Sequence, residues 1–360
     1  MRRMLLAVLT LLLLTVPVCA IDHAEFGLDT APLQDGLTEE QQELMGDASP
    51  TDWIDFADSV QALISRAVRN SGGFLREAAA QAAVLLAICL VSGLAGTAGT
   101  DGIQVNVIAG VLAITAAATH SLGGMIRLGT DTVQELVAFS QLLLPVLTAA
   151  STASGAFTSA SAVCGITVLF TELLLSLTVQ LLVPGIYIYL ALTAADCVLQ
   201  NSALSRICAL IAWLQKCGLK WIMYGFTGFL TVTQVISGTA DALTTRAAKL
   251  TLSGAVPVVG SIISDASETV LVSAAMLRNS VGIYGMLAVL SVCILPFLRI
   301  GLCYLTLKAT AAVSGIVAEG KLIRMVDALS TAMGLLLAMT GTAAFMMLIS
   351  VVCMLKMVGL

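Results

Sequence analysis

The chain has 360 residues, of which 58% are hydrophobic and only 11% are charged, and its mean hydropathy is +1.00. A soluble domain carries about 25% charged residues, so these figures exclude an ordinary water-soluble protein and indicate an integral membrane protein. The formal net charge is −5, and no run of lysine or arginine is present, so nucleic acid is not an expected partner.

Residues 1–20 have the pattern of a secretory signal peptide. A basic start precedes an apolar stretch from Met4 to Val16, and Val18–Ala20 supplies small residues for a cleavage site. We expect cleavage after Ala20, which places the next residue outside the cytoplasm. An uncleaved first helix fits so short a stretch less well, and a lipoprotein signal at Cys19 would need a small residue before the cysteine.

Residues 21–77 are predicted to form an acidic extracytoplasmic segment, because eleven of the 22 acidic residues lie between Asp22 and Asp58. Residues 21–48 are polar and lack periodicity, so we expect them to be poorly ordered. An amphipathic helix is predicted at 50–70 from its apolar spacing and its Ser-Pro start. Its apolar face has three candidate contacts, namely the membrane, the protein's own bundle and a partner protein.

Residues 78–360 are predicted to form an all-α polytopic transmembrane bundle, because they contain repeated apolar stretches of about 20 residues. Pro145 and Pro184 interrupt the uncharged region 141–199, so full spans and re-entrant or discontinuous helices both remain open there. We therefore predict seven to nine spans. The candidates are 78–97, 103–121, 141–160, 162–182, 184–199, 220–238, 279–298, 300–317 and 332–354.

The segment 239–278 is predicted to be an amphipathic or re-entrant element, because Pro257 and Gly260 break an apolar stretch too short to span a membrane. Orientation follows from loop charges. A predicted loop at 200–219 carries Arg206 and Lys216 without an acid, so the positive-inside rule makes it cytoplasmic. Nine spans then place the C-terminus in the cytoplasm.

Two carboxylates lie inside predicted spans, where charge is costly and by default indicates function. Glu172 is in the middle of its span and Asp196 is near a span end. The functional interpretation of each is a proton or ion relay, or a polar pore lining. The structural alternative is an interhelical hydrogen bond made by a protonated carboxyl group, or an aspartate near a helix end, and for Asp196 this alternative is favoured.

Enzyme signatures are absent from the sequence: no P-loop, HExxH, GxSxG or dinucleotide-binding motif occurs, and the two histidines, His23 and His120, are far apart. We predict no enzymatic activity and no catalytic, cofactor-binding or metal-binding residues. The nine cysteines are scattered without a CxxC pair, so they are interpreted as small apolar residues inside helices.

The whole layout resembles the stage III sporulation protein AE family. The resemblance runs from the signal peptide to the polytopic body, and its most specific parts lie before the first span, at the start of the 220–238 span and across 238–270. These parts are Gly73–Leu75, Leu219–Trp221, Gly238–Asp241, Ala247–Lys249, Pro257–Gly260 and Ser264–Val270.

The resemblance implies a multi-pass protein of the mother-cell membrane around the forespore, in a channel or secretion-like complex required for late forespore development. Implied partners are the lipid bilayer, other stage III sporulation A operon proteins including an ATPase, and a forespore membrane protein across the intermembrane space. The family supplies no established catalytic residues. The alternative is a secondary transporter or permease that uses Glu172 and the interrupted segments.

Overall fold

A computed structural model describes the backbone of residues 31–46, 48–49, 56–97, 103–153, 160–199, 202–255, 260–316 and 318–356. Side chains are described throughout these ranges except at 96–97, 103–104, 120, 144, 151–164, 168, 234–278 and 353–356. The regular elements of the described backbone are all helices, with no strand among them. They are α1 Ala31–Asp35, α2 Glu39–Met45, α3 Phe56–Asn70, α4 Gly72–Thr97, α5 Ile103–Ala153, α6 Ala160–Leu199, α7 Ser202–Ala255, α8 Gly260–Ser314 and α9 Gly320–Lys356.

Five of these helices are long and apolar enough, by length and composition, to cross a membrane. This confirms the predicted all-α polytopic membrane fold, while the number of seven to nine spans stays a prediction. The five segments are Gly72–Ala95, Val105–Ala150, Gly165–Leu199, Asn279–Ser314 and Gly320–Val352.

The predicted interruptions at Pro145 and Pro184 are wrong, because both prolines lie inside continuous helices. The predicted span 103–121 and residues 141–153 of the predicted span 141–160 therefore both fall on α5, and 162–182 and 184–199 both fall on α6. Proline is tolerated in apolar membrane helices because packed neighbours and local adjustments satisfy the freed backbone groups. With 51 residues and a rise of 1.5 Å each, α5 is about 77 Å long, more than twice the thickness of a bilayer core.

The predicted loop at 200–219 is also wrong, since α7 is helical from Ser202. No proline interrupts this stretch, and its residues are mostly good helix formers. Arg206, Lys216 and Lys220 are exposed on the helix surface instead. The direction in which the chain crosses the membrane stays a prediction.

Helix α9 lies at the centre of the bundle and packs against α5, α6 and α8. It is apolar nearly all the way round, as a helix enclosed by other helices must be. Met325, Leu329, Met339 and Met346 are all at most 1% exposed. The helices α4, α5 and α9 approach closely at Gly110. A Cβ there would lie 2.4 Å from Ser92 Oγ and 2.8 Å from Leu322 Cδ2, so the position requires a glycine.

The N-terminal residues 31–45 form a short helical head, so the expectation that 21–48 is poorly ordered is wrong for this part. Thr38 caps α2 in a capping box with Gln41, which satisfies two backbone N–H groups at the helix start. Leu33 and Leu37 are buried in the main core, and Leu44 packs with Leu295 of α8. The head is therefore docked on the membrane body.

Helix α3 occupies Phe56–Asn70 of the amphipathic helix predicted at 50–70, and 50–55 lies outside the described residues. Its apolar face is divided between two environments. Leu63 and Ala67 are buried against the protein, whereas Ile64 and Val68 are 46% and 53% exposed. Packing on the chain's own bundle thus covers only one side of the face.

Two further predictions fall wholly or partly outside the described residues. The signal peptide at 1–20 is one of them. The segment 239–278 is the other: it is divided between the end of α7 and the start of α8, with 256–259 and the side chains of 239–278 not described. A re-entrant geometry there stays a prediction.

Six cysteines are described, and all six are free thiols. Five are buried and one is half-buried within helices, which agrees with their interpretation as small apolar residues. They are Cys89, Cys197, Cys208, Cys217, Cys293 and Cys303.

Candidate functional site in the membrane-spanning helices

The first predicted carboxylate, Glu172, lies half-buried on α6, where it faces α5. The side-chain amide of Gln141 donates a hydrogen bond to Glu172 Oε2 at 3.3 Å. In this contact between α5 and α6 the carboxyl group of Glu172 is the acceptor, and the choice between its two interpretations stays a prediction. Its partner is an uncharged amide, so Glu172 gains an orienting contact and no opposite charge from α5.

The second predicted carboxylate, Asp196, is only 4% exposed and lies close to the end of α6 at Leu199. Arg324 of α9 donates to Asp196 Oδ2 at 2.8 Å, and the two residues form an ion pair. Burying a carboxylate without a cation is strongly unfavourable, and Arg324 supplies the opposite charge that offsets the burial of Asp196. Asp196 thus joins α6 to α9.

A second ion pair lies beside the first. Lys308 of α8 pairs with Asp327 of α9, and positions three apart on a helix share one face, so Arg324 and Asp327 are neighbours. We call Asp196, Lys308, Arg324 and Asp327 the paired cluster. It joins α6, α8 and α9 by opposite charges.

The sequence pattern did not single out Arg324, Lys308 or Asp327. The sequence did contain a signal for Arg324 and Asp327, because both are charged residues within the apolar segment Gly320–Val352. The predicted span at 332–354 began after them, and the pairing with Asp196 joins positions 128 apart in sequence. Only the packed helices bring these charges together.

A different set of polar side chains lies exposed along the outer side of α5 and α6. Within segments long and apolar enough to cross a membrane, these residues face away from the bundle. We call this set the polar stripe. It consists of Arg127, Asp131, Gln134 and Gln141 on α5, and Ser176 and Gln180 on α6.

The polar stripe follows the contact between two antiparallel helices. At one end Gln141 of α5 contacts Glu172 of α6. At the other end Arg127 and Asp131 of α5 line a depression of about 730 Å³ together with Tyr187 of α6. The stripe therefore extends from 127 to 141 of α5, which is about 21 Å along the helix.

A row of leucines lies beside the polar stripe on the same helix. Leu169, Leu173, Leu177 and Leu181 of α6 are 69%, 62%, 46% and 40% exposed. We call these four residues the leucine stripe. These leucines lie one residue after or three residues before Glu172, Ser176 and Gln180, so polar and apolar side chains interleave along this side of α6.

Gln215 of α7 is a buried polar residue that the sequence pattern did not indicate. It is 3% exposed, and neither polar atom of its side chain has a hydrogen-bond partner among the described residues. Its amide lies against Gly185 of α6, where a Cβ would be 2.1 Å from Gln215 Nε2. The glycine therefore makes the room that the amide occupies.

Within the described part of the chain, no three side chains of His, Cys, Asp or Glu come together in a group able to hold a metal ion. The side chain of His120 lies outside the description. That the protein needs no metal or cofactor stays a prediction.

Comparison with known proteins gives a family match over most of the chain. The family model described as "Stage III sporulation protein AE" matches residues 70–358. The chain is also similar to "Stage III sporulation protein AE" of Bacillus subtilis (strain 168), with 24% identity over 234 residues, which are 65% of this chain. The match spans 58% of that relative's length. No solved structure is significantly similar to the chain.

Proposed function

The chain belongs to the stage III sporulation protein AE family, and we propose on that premise that it is a membrane component of a channel or secretion-like complex. In this proposal the complex links mother cell and forespore and is required for late forespore development. The observation that carries the proposal is the extent of the family match, which covers 70–358 and hence all five described helices that are long and apolar enough to cross a membrane.

The proposed partners are the other stage III sporulation A operon proteins, including an ATPase, and a forespore membrane protein across the intermembrane space. The proposed location is the mother-cell membrane around the forespore, with the N-terminal segment outside the cytoplasm and the C-terminus inside. In this role the chain has no catalytic activity of its own. The paired cluster supports a structural role, because Asp196 and Asp327 are each bound to a cation on another helix.

The head adds a second, independent support for a role in assembly. It lies outside the matched range 70–358, yet it is docked on the body through Leu44 and through a hydrogen bond of 2.9 Å from Gln41 to Glu135 of α5. Acidic residues such as Glu39 and Glu40 remain exposed on α2. We propose that this acidic surface contacts partners outside the cytoplasm.

The test is crosslinking followed by affinity capture from sporulating cells, with the chain tagged at its C-terminus. We expect recovery of the operon's ATPase and of other operon products. A tagged polytopic protein unrelated to sporulation, expressed to the same level in the same cells, is the control. Recovery of the same proteins by both baits, or of no sporulation protein by the tagged chain, would reject the proposal.

A secondary transporter is the alternative function, and Glu172 is the observation in its favour. This intramembrane carboxylate lacks a cation partner in the described contacts and adjoins the polar stripe. The argument from interrupted helices is weaker, because α5 is continuous through Pro145. Solute flux into proteoliposomes containing only this chain, abolished by Glu172→Gln, would favour the transporter over the complex.

A further inference from the structure

We propose that the outer face of α5 and α6, which consists of the polar stripe and the leucine stripe, is a contact surface for a second copy of this chain. The contact lies outside the hydrocarbon core of the membrane. Three features carry the inference: the position at which the head docks, the mixture of leucines with polar groups, and the opposite charges of Arg127 and Asp131. The inference does not depend on the proposed complex.

The head indicates where the outer face lies along the axis of the bundle. Gln41 of the head donates a hydrogen bond of 2.9 Å to Glu135 of α5, and a Cβ added at Gly36 would lie 2.6 Å from Leu142 Cδ1. The head therefore lies beside residues 135–142 of α5. Hydrocarbon cannot solvate its exposed acidic side chains, so this level of the bundle lies outside the hydrocarbon core. These side chains are Asp35, Glu39, Glu40 and Glu43.

The leucine stripe lies at the level of the docked head. Glu172 of α6 contacts Gln141 of α5, which is within the segment that the head covers. Leu173 follows Glu172 directly, and Leu177 is about 6 Å further along the helix. Because α6 runs antiparallel to α5, both leucines stay beside the same segment of α5. Lipid tails are therefore not available to cover them.

Large apolar side chains that are exposed at this level indicate a contact with protein. Leu169, Leu173 and Leu177 are 69%, 62% and 46% exposed, and apolar patches rimmed by polar residues mark sites of interaction with protein or membrane. Ser176 and Gln180 interleave with the leucines on the same side of α6. Protein interfaces combine apolar and polar groups in this way. A protein chain therefore fits the outer face better than lipid does.

Two charges of α5 indicate which chain this is. Arg127 and Asp131 are exposed and one helical turn apart, and neither forms an ion pair within the described part of the chain. A two-fold contact brings the same surface of two copies together, so that residue i meets residue j and the reverse. A surface with one basic and one acidic group is complementary in charge to itself. A second copy of this chain therefore satisfies both charges at once.

The membrane supplies the geometry that this pairing requires. Two copies inserted in the same direction have parallel α5 helices. Four residues along a helix correspond to about 6 Å, and parallel coiled coils pair charges between helices at similar offsets through their e and g positions. Arg127 of each copy then pairs with Asp131 of the other, while the two leucine stripes pack against each other.

The first experiment is crosslinking at the centre of the leucine stripe. Leu173→Cys is produced in the full chain, and membranes are treated with an oxidant or a short bifunctional maleimide. We expect a product with twice the mass of the chain. Val68→Cys on α3, where the native side chain is apolar and 53% exposed, is the matched control. The unchanged chain measures the background from the native cysteines.

The second experiment exchanges charges between two differently tagged copies. Arg127→Asp gives one copy two acids at the contact, and Asp131→Arg gives the other copy two bases. Each variant alone brings like charges together in a two-fold contact, so we expect the crosslink at Leu173→Cys to fall about tenfold. Production of both copies in one cell restores opposite charges across the contact, so we expect a crosslink between the two tags.

The outcomes distinguish a second copy from any other occupant. Crosslinking of Leu173→Cys no stronger than that of Val68→Cys would overturn the inference, whether lipid or another protein covers the face. An unchanged crosslink in Arg127→Asp would also overturn it, as would no recovery when both copies are produced together. Arg127→Glu and Asp131→Lys repeat the test if either variant does not accumulate in the membrane.

This result is separable from the proposed complex. A crosslink that follows the charges as expected, although affinity capture recovers no sporulation partner, would reject the complex and retain the contact between copies. Capture of sporulation partners without a crosslink at Leu173→Cys would do the opposite.

Discussion

The paired cluster holds each of its charges against an opposite charge on another helix, whereas the polar stripe presents Arg127 and Asp131 without an ion pair in the described residues. Both regions lie in helices long and apolar enough to cross a membrane. Charge in such helices persists where it fixes packing or where it serves function. The pairing of Asp196 with Arg324 joins α6 to α9, so the cluster is best explained by stability, whereas Arg127 and Asp131 join no helices by charge among the described residues.

The largest loss of stability is expected when Arg324 is replaced. A small loss would contradict the comparison between the paired cluster and the polar stripe. Arg324→Met leaves Asp196, which is 4% exposed, without its cation. We expect the free energy of unfolding to fall by about 3 kcal/mol. This is the low end of the range for a buried ion pair, because Arg324 itself is partly exposed. The matched control is Arg127→Met in the polar stripe, which leaves no charge uncompensated. Thermal unfolding in detergent and the amount of protein in the membrane measure both.

The double substitution Arg324→Met with Asp196→Asn separates charge from packing. It removes both charges, so we expect most of the lost stability to return. Equal losses for Arg324→Met and Arg127→Met, or no recovery in the double variant, would contradict the assignment of a structural role to the paired cluster.

The next effect compares a packed glycine with an open one. Gly110→Leu places a side chain against Ser92 and Leu322, so we expect a loss of about 1–3 kcal/mol from overpacking. Gly124→Leu enters the open depression of the polar stripe, where nothing lies within 4 Å of a Cβ. We expect its melting temperature to be unchanged or higher, because leucine favours the helix. A larger loss for Gly124→Leu would show that the depression is closed.

A smaller effect distinguishes the two ion pairs of the cluster. Lys308 and Asp327 are 53% and 47% exposed, so Asp327→Asn should cost at most about 1 kcal/mol, as for exposed pairs. Its control in the stripe, Asp131→Asn, should not lower stability. The melting temperatures of the two variants and of Arg324→Met provide the measurement, and a loss for Asp327→Asn above that for Arg324→Met would reverse the order expected from burial.

The smallest effect is expected for Glu172→Gln. Glutamine keeps an oxygen that accepts the hydrogen bond from Gln141 at the α5–α6 contact, so stability and the yield of heat-resistant spores should stay close to those of the unchanged chain. Spore yield after heat treatment is the measurement, and Glu172→Leu, which removes the acceptor, is the comparison. A tenfold or greater fall with Glu172→Gln would show that the charge itself is needed, as the transporter alternative requires.

The helices of the body were predictable from hydropathy, because long apolar stretches in membrane proteins have few structures available other than helices. The continuity of these helices through their prolines was not predictable. Pro145 and Pro184 are reliable helix breakers in water, and the sequence alone does not show that the surrounding apolar stretch continues the helix through them. The exact division of apolar stretches into spans depends on packing that hydropathy does not record.

The head shows a signal that was present and missed. Thr38 and Gln41 have capping-box spacing, and Leu33, Leu37 and Leu44 recur at helical intervals. The acidic composition of residues 21–48 outweighed this local pattern. Composition predicts whether a segment can fold alone, and this one is stabilised by a body to which it docks.

The ion pairs show what no local pattern contains. Asp196 was recognised as a charge in a span, but its partner Arg324 is 128 positions away. Charges on different helices pair only when the order and rotation of the helices are known. The polar stripe has the same origin, because the exposed side of α5 is defined by the helices that cover its other sides.

The docking of the head on α8 has a consequence for how the chain is made. Leu44 of α2 packs with Ala67 and with Leu295, which is synthesised 251 residues later (295 − 44). At about 5–20 residues per second, that interval is on the order of 10–50 s. The contact of Leu44 with α8 can therefore form only after most of the membrane body has been translated, whereas its contact with Ala67 can form early. Docking of the head on α8 is thus a late event of biogenesis.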